Sequence, residues 1–104
     1  MIVTTSPNVE GRPIQRYLGV VSSQAIMGTH IGKDITAGLR SIVGGRSKSY
    51  EGEIAKAVSE VIDELEAGAV ELGGDAVVSI DIDYESVGNS MLMVAASGTA
   101  VKLG

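Results

Sequence analysis

The hydrophobic residues of this chain follow strand-like patterns at both ends and a helical period between them. Residues 1–5 are a short run rich in β-branched side chains and residues 14–23 are predicted to form a strand, with turn residues at 6–8 and 10–13 separating the two. In the predicted strand, alternation assigns the side chains to two faces. One face carries Ile14, Arg16, Leu18 and Val20, and the other carries Gln15, Tyr17, Gly19 and Val21.

The middle of the chain predicts two helices. A short helix is expected over residues 34–43, because its apolar residues recur at helical spacing and it ends at Gly44 and Gly45. A longer helix is expected over residues 50–72, with Ser49 as its N-cap. Its apolar stripe comprises Ile54, Val58, Val61, Ile62, Leu65, Ala69 and Leu72.

The last third predicts a β-hairpin with its turn at residues 88–90. The first strand has one apolar face, formed by Val78, Ile80, Ile82 and Tyr84, and one acidic face. The second strand, residues 91–103, is apolar on both faces. Because one helical layer covers only one face of a sheet, we expect the other face to be buried against further copies of the chain. The predicted interface consists of Met91, Met93, Val94, Ala95, Ser97 and Val101.

The order β-β-α-α-β-β predicts an α+β fold with two layers, in which a mainly antiparallel sheet packs against one long and one short helix. The length of 104 residues fits one domain over residues 1–104. The composition supports self-association. The chain has no Phe, no Trp and three Tyr, yet 44% of its residues are hydrophobic, so small apolar side chains are expected to complete their burial between copies.

Charge and composition exclude several classes of function. Eight Lys and Arg against thirteen Asp and Glu give a net charge of −5, which argues against binding to nucleic acid. Without cysteine there is no disulfide framework, thiolate catalysis or cysteine-bound zinc. No run approaches the roughly 20 apolar residues of a membrane span, and residues 1–7 do not resemble a signal peptide. We therefore expect a cytoplasmic protein that binds no membrane.

Two sets of residues are candidates for a metal ion. Asp81, Asp83 and Glu85 place three carboxylates on one strand face, about 7 Å apart at successive positions, and hard cations such as calcium or magnesium prefer oxygen ligands. The alternative is a solvated face whose charge deters edge pairing. If the short helix begins before residue 34, His30 shares a helical face with Asp34, although a lone histidine is more often a surface or loop residue. A metal ion is thus the one cofactor class suggested, and its identity stays open.

Three other patterns in the sequence are candidates for an anion site, a soft-metal site and a catalytic nucleophile. Gly44, Gly45, Arg46 and Ser47 precede the long helix and could hold a phosphate or carboxylate, or could simply form a corner between helices. Methionines 27, 91 and 93 could bind soft ions but are more often core or interface residues. The segment 97–99 (SGT) has no histidine placed to activate it, and its glycine fits a close approach of strands or of subunits. We expect no enzymatic activity.

Five blocks in a fixed order and spacing carry a family resemblance: residues 17–22 (YLGVVS), 43–47 (VGGRS), 50–51 (YE), 81–85 (DIDYE) and 97–101 (SGTAV). They resemble the YbjQ family, whose name carries a conjectured heavy-metal-binding role without an assigned activity. The resemblance spans essentially the whole chain. It implies a dodecin-like subunit and a ring-shaped homopentamer. This sequence departs from the family pattern at Asp75, where Asn is expected, and His30 lies outside the shared blocks. Together these observations lead us to expect a homo-oligomer that binds a metal or small ligand at subunit junctions, or else an interaction module without a small ligand.

Overall fold

The computed structural model describes residues 1–27, 48–88 and 91–104. The predicted α+β class is confirmed within these residues, which contain four strands and one helix. The short helix predicted over residues 34–43 lies outside the described residues. The elements are β1 (Ile2–Val3), β2 (Ile14–Met27), α1 (Lys48–Glu71), β3 (Ala76–Val87) and β4 (Met91–Leu103).

The four strands form one mixed sheet in the order β1-β3-β4-β2. The central strand β4 is antiparallel to both of its neighbours, β3 and β2, as a mainly antiparallel sheet requires. The short strand β1 pairs in parallel with the start of β3, at Ala76 and Val77. The long strand β2 therefore lies at one edge of the sheet, and β1 covers only the beginning of the other edge.

The helix α1 ends where its glycines permit a left-handed turn. Gly73 has a φ of 80°, its N–H donates to the carbonyl of Val70, and the N–H of Gly74 donates to the carbonyl of Ala69. These two bonds form a Schellman motif, which satisfies carbonyls that the helix leaves free. At the other end, α1 begins at Lys48, before the predicted start. Ser49 is thus inside the first turn, and its assignment as the N-cap is wrong.

The main core lies between α1 and one face of the sheet. Val61, Leu65 and Ala69 of α1 are fully buried there, which confirms the centre of the predicted apolar stripe. The ends of that stripe are looser, and Leu72 remains 46% exposed. One polar side chain enters this layer: Ser23 of β2 is buried and donates its hydroxyl hydrogen bond to Glu64 of α1.

A second, smaller core lies on the opposite face of the sheet, at the end near β1. It contains Ala76, Val78, Val101 and Leu103, and the partly buried Val9 and Ile14 pack against it. These residues close one end of the face that sequence patterning left open to other copies.

Two of the predicted interface residues are in fact core residues. Val94 is fully buried beneath α1, and Val101 is fully buried in the second core, so neither is available to another subunit. The other four predicted interface residues, Met91, Met93, Ala95 and Ser97, are half-buried in the single chain. The prediction failed at the two positions because alternation identifies faces but does not show which of them the chain itself covers.

Irregularities in the strands change the predicted faces. In β3 the register shifts between Val78 and Asp81, and Ser79 adopts a φ of 54°. Val78 therefore packs on the side away from α1, whereas Ile80 packs beneath α1, and their predicted shared face is wrong. In β2, a register shift between Tyr17 and Gly19 turns Leu18 toward α1 like Val21, although strict alternation placed them on opposite faces. A bulge adds a residue to one strand and so reverses the alternation beyond it.

Candidate functional site

The open part of the sheet lies on the side away from α1, and we call it the outer face. Residues Val94, Ala96 and Ala100 of the central strand are buried in the core with α1, so the residues between them point the other way. The paired strands then share this face in register. It consists of Val20, Ser22, Gln24 and Ile26 of β2, Met93, Ala95, Ser97 and Thr99 of β4, and Asp81, Asp83 and Glu85 of β3.

The outer face has an apolar side and an acidic side. On β2, Val20 is 77% exposed and Ile26 is 57% exposed, which is unusual for large apolar side chains. The small side chains of Ala95 and Ser97 lie at the centre of the face. The face is therefore exposed and in part apolar, a character typical of surfaces that contact another protein.

The acidic side carries the three predicted carboxylates. Asp81, Asp83 and Glu85 pair with Ser97, Ala95 and Met93 of β4, so no charged residue of the neighbouring strand lies opposite them. The Asp81 carboxylate hydrogen-bonds with the Asp83 carboxyl and repels its charge, and Glu85 adds to the repulsion. These neighbours raise the pKa of Asp83 above its ordinary value of 3.8. A cation brought to this pair would relieve that repulsion.

A complete metal site is not formed by the described residues of one subunit. No group of three or more His, Cys, Asp or Glu side chains is arranged to hold an ion in residues 1–27, 48–88 and 91–104. His30 lies outside the described residues, so its predicted ligand role stays a prediction. The donors that the structure places on one exposed strand face are the carboxylates of Asp81, Asp83 and Glu85, whose oxygen atoms suit hard cations.

The structure describes the residues of the predicted methionine cluster but not those of the predicted anion site. Gly44, Gly45, Arg46 and Ser47 lie outside the described residues. Met27 pairs with Leu92 and is buried with the residues that face α1, whereas Met93 pairs with Ile26 on the outer face. Met27 therefore lies on the opposite side of the sheet from Met93, because neighbouring residues of a strand point to opposite faces.

The segment from Ser97 to Thr99 is explained by packing. A Cβ atom on Gly98 would lie 2.7 Å from Cγ1 of Val77 and 3.2 Å from the carbonyl oxygen of Val78. The glycine thus permits the close approach of β4 to the bulge in β3, as predicted. Ser97 and Thr99 are on the outer face on either side of it.

Two features were not found by sequence reasoning. A cavity of about 200 Å³ lies between the end of β2 and the first half of α1, where Glu53, Lys56 and Glu60 line its helical side. The second feature is Asp75, whose carboxylate accepts hydrogen bonds from the Leu103 N–H (3.0 Å) and from Nζ of Lys102 (3.2 Å). Both bonds lower the pKa of Asp75, that from Leu103 the more. The signal available in the sequence was the departure from the expected Asn.

A protein-family model and a solved crystal structure each match this chain over its whole length. The model of the YbjQ family, described as "Putative heavy-metal-binding", matches residues 1–104. A crystal structure of a protein of unknown function from Pediococcus pentosaceus, assigned to the DUF74 family, is similar in fold, with a TM-score of 0.60. The two chains are 17% identical, and the match covers 100% of this chain and 98% of the other. In the described part of this chain, no helix is long and apolar enough to cross a membrane.

Proposed function

We propose that this chain, which belongs to the YbjQ family, is a homo-oligomeric binding protein that holds a cation at the carboxylates of its outer face. The observation that carries the proposal is the alignment of Asp81, Asp83 and Glu85 on one exposed strand face, where their partners on β4 carry no charge and no cation in the described residues neutralises them. We further propose that the functional form is a ring, with five copies as the family resemblance implies. The role is binding, without catalysis.

The outer face supports the assembly part of this proposal. A two-layer domain normally leaves a polar face to water, whereas Val20 and Ile26 here are large, apolar and more than half exposed. Contact between copies over this face would bury both side chains. It would also bring carboxylates of different copies closer together, which is how two ligands per chain could become a complete coordination shell.

The donor set supports a hard cation better than a soft heavy metal. The chain has no cysteine, and the described carboxylates supply oxygen atoms rather than sulfur or imidazole nitrogen. Calcium, magnesium and manganese prefer such oxygen ligands, whereas cadmium and cuprous ions prefer thiolates. The family description "Putative heavy-metal-binding" therefore does not fit the carboxylates of the outer face as a soft-metal site.

Calorimetric titration tests the cation part of the proposal. We expect the protein to bind Mn²⁺ or Ca²⁺, each added alone, more tightly than Cd²⁺. The double variant Asp81→Asn/Asp83→Asn should bind at least about tenfold more weakly, since it removes both charged ligands. The matched control is Asp63→Asn, which removes one exposed carboxylate from α1, with Asp63→Asn/Glu71→Gln as the control of equal charge. Native mass spectra of all variants would show whether assembly is unchanged.

The proposal fails if the double variant binds these ions as tightly as the controls do. In that case the carboxylates would be a solvated face, and the second candidate function would be favoured. That candidate is an interaction module without a small ligand, and the apolar side of the outer face, at Val20 and Ile26, is the observation that supports it.

A further inference from the structure

Among the described residues, the outward edge of β3 has backbone partners only at its beginning. Beyond the pairing with β1, the N–H of Ser79 donates to the carbonyl of Ser6, and the N–H of Ile80 donates to the carbonyl of Thr4. After Ile80, no backbone group of the described residues pairs with the outward side of β3. An edge of this kind presents unpaired donors and acceptors to which another extended chain can add.

The direction of the Ile80 N–H identifies which residues present these groups. Successive residues of a strand point their backbone N–H and C=O groups to opposite sides, in the same way for the rest of the strand. Since Ile80 points outward, Ile82, Tyr84 and Ser86 also point outward, and Asp81, Asp83 and Glu85 point toward β4. We call the outward groups of Ile82, Tyr84 and Ser86 the free edge.

The side chains along the free edge have a distinct pattern of charge. On the outer face, three carboxylates follow one another at every second residue, and the pKa of Asp83 is raised by its acidic neighbours. On the other face, Ile82 is partly buried at the margin of the core and Tyr84 is 55% exposed. A chain that added here would have its own side chains directly opposite these, about 5 Å away and with the same two-residue period.

We propose that the free edge binds an extended peptide in which basic and apolar residues alternate. The backbone of the peptide would pair with Ile82, Tyr84 and Ser86. Its Lys or Arg side chains would lie beside the carboxylates on the outer face, and its apolar side chains would pack beside Ile82 and Tyr84. The inference uses the same carboxylates as the proposed cation site but rests on the backbone edge, and so either can hold without the other.

Backbone methylation distinguishes strand addition from simple charge attraction. The probe is a capped eight-residue peptide of alternating lysine and valine, measured by fluorescence anisotropy. Two modified peptides carry N-methyl groups on every valine or on every lysine, which blocks the donors of one peptide edge and leaves every charge in place. In an antiparallel pair, the residues that exchange backbone hydrogen bonds lie directly opposite each other and share a face of the sheet. The peptide residues opposite Ile82, Tyr84 and Ser86 are therefore its valines, and the lysines lie opposite the carboxylates. We therefore expect the valine-methylated peptide to lose at least about tenfold in affinity, while the lysine-methylated peptide binds as the parent does.

Protein variants separate the edge from the cation site. Tyr84→Pro removes one outward N–H that no described residue uses, and proline is tolerated on the open side of an edge strand. We expect it to abolish peptide binding and to leave Mn²⁺ or Ca²⁺ binding intact. Tyr84→Thr is its control for the lost ring. Asp81→Asn/Asp83→Asn should weaken the peptide about fivefold, as two exposed ion pairs would.

Two results would overturn the inference. If both methylated peptides bind as tightly as the parent, the attraction is charge alone and no strand is added. Amide hydrogen exchange gives the second result. Slow exchange at Ile82, Tyr84 and Ser86 in the protein without peptide would mean that the edge is already paired and cannot accept a peptide strand. Fast exchange at these three amides, slowed when the parent peptide is added, is the expected result.

Discussion

At the scale of single residues, Asp75 shows how one side chain joins the end of the helix to the last strand. It follows the Schellman turn, its own N–H donates to the carbonyl of Val101, and its carboxylate accepts from Leu103 and Lys102. The ionised form of Asp75 is thus favoured in the folded chain. An Asn in its place could accept one of these bonds but would bring no charge to Lys102.

The lowered pKa of Asp75 predicts how stability depends on pH. A carboxyl whose folded pKa lies below its unfolded value stabilises the fold above the unfolded pKa, here about 3.8, and loses that contribution as pH falls through the folded pKa. We expect Asp75→Asn to lower the free energy of unfolding near neutral pH, and the difference from the wild type to shrink below about pH 4. Urea unfolding at several pH values measures this.

Lys102→Gln is the control for the Asp75 prediction. It removes the ion pair but leaves the Leu103 N–H, which contributes most to the lowered pKa. Its loss of stability should therefore be smaller than that of Asp75→Asn. A difference between Asp75→Asn and the wild type that stays constant from neutral pH to below about pH 3 would contradict the prediction.

At the scale of elements, the bulge in β3 depends on a glycine in its neighbour β4. The bulge brings Val77, Val78 and Ile80 so close to Gly98 that an added Cβ would lie 2.7 Å from Val77 and 3.1 Å from Ile80. We expect Gly98→Ala to lower the free energy of unfolding by about 1–3 kcal/mol, because the strands must separate to admit the methyl group. Urea unfolding at neutral pH tests it.

A second glycine provides the matched control for this packing argument. Gly52 lies in α1, where an added Cβ would meet nothing within 4 Å. Gly52→Ala should therefore stabilise the chain by up to about 1 kcal/mol through helix propensity alone. Equal effects of the two substitutions would show that backbone entropy, rather than the bulge, sets the response at Gly98.

The same elements show what the sequence could predict. The period of the apolar residues was enough to find the strands, the long helix and its buried centre at Leu65, because burial repeats with the geometry of each element. It failed at Val78 and Leu18, where bulges reverse the alternation without any strong local signal. The acidic face of β3 was predictable because its alternation begins beyond the bulge. The pairing of β1 with β3 and the hydrogen bond between Ser23 and Glu64 were not predictable, because both join residues that are distant in sequence.

At the scale of the whole molecule, the two faces of the sheet differ in how the chain covers them. One face is buried beneath α1, and the part of the chain that the structure describes covers the other face at the end where Val9 and Ile14 pack. The interface predicted from the sequence was centred on β4, yet the structure places exposed apolar side chains of the outer face on β2, at Val20 and Ile26. The test of assembly therefore belongs on β2, since a charge at Val94 would disrupt the core itself.

We expect Val20→Lys/Ile26→Lys to separate the copies without unfolding the subunit, because both side chains are mainly exposed in the single chain and two buried charges would oppose contact between outer faces. Native mass spectra should change from several copies of the 10.7 kDa subunit to one, with the circular dichroism spectrum preserved. The control is Val70→Lys, which adds the same charge at a position 62% exposed on α1 and should leave assembly intact. If Val70→Lys separates the copies and the double variant does not, then the helical layer forms the interface. The carboxylates of the outer face would then remain in solvent, and any cation they hold would have to be bound within one subunit.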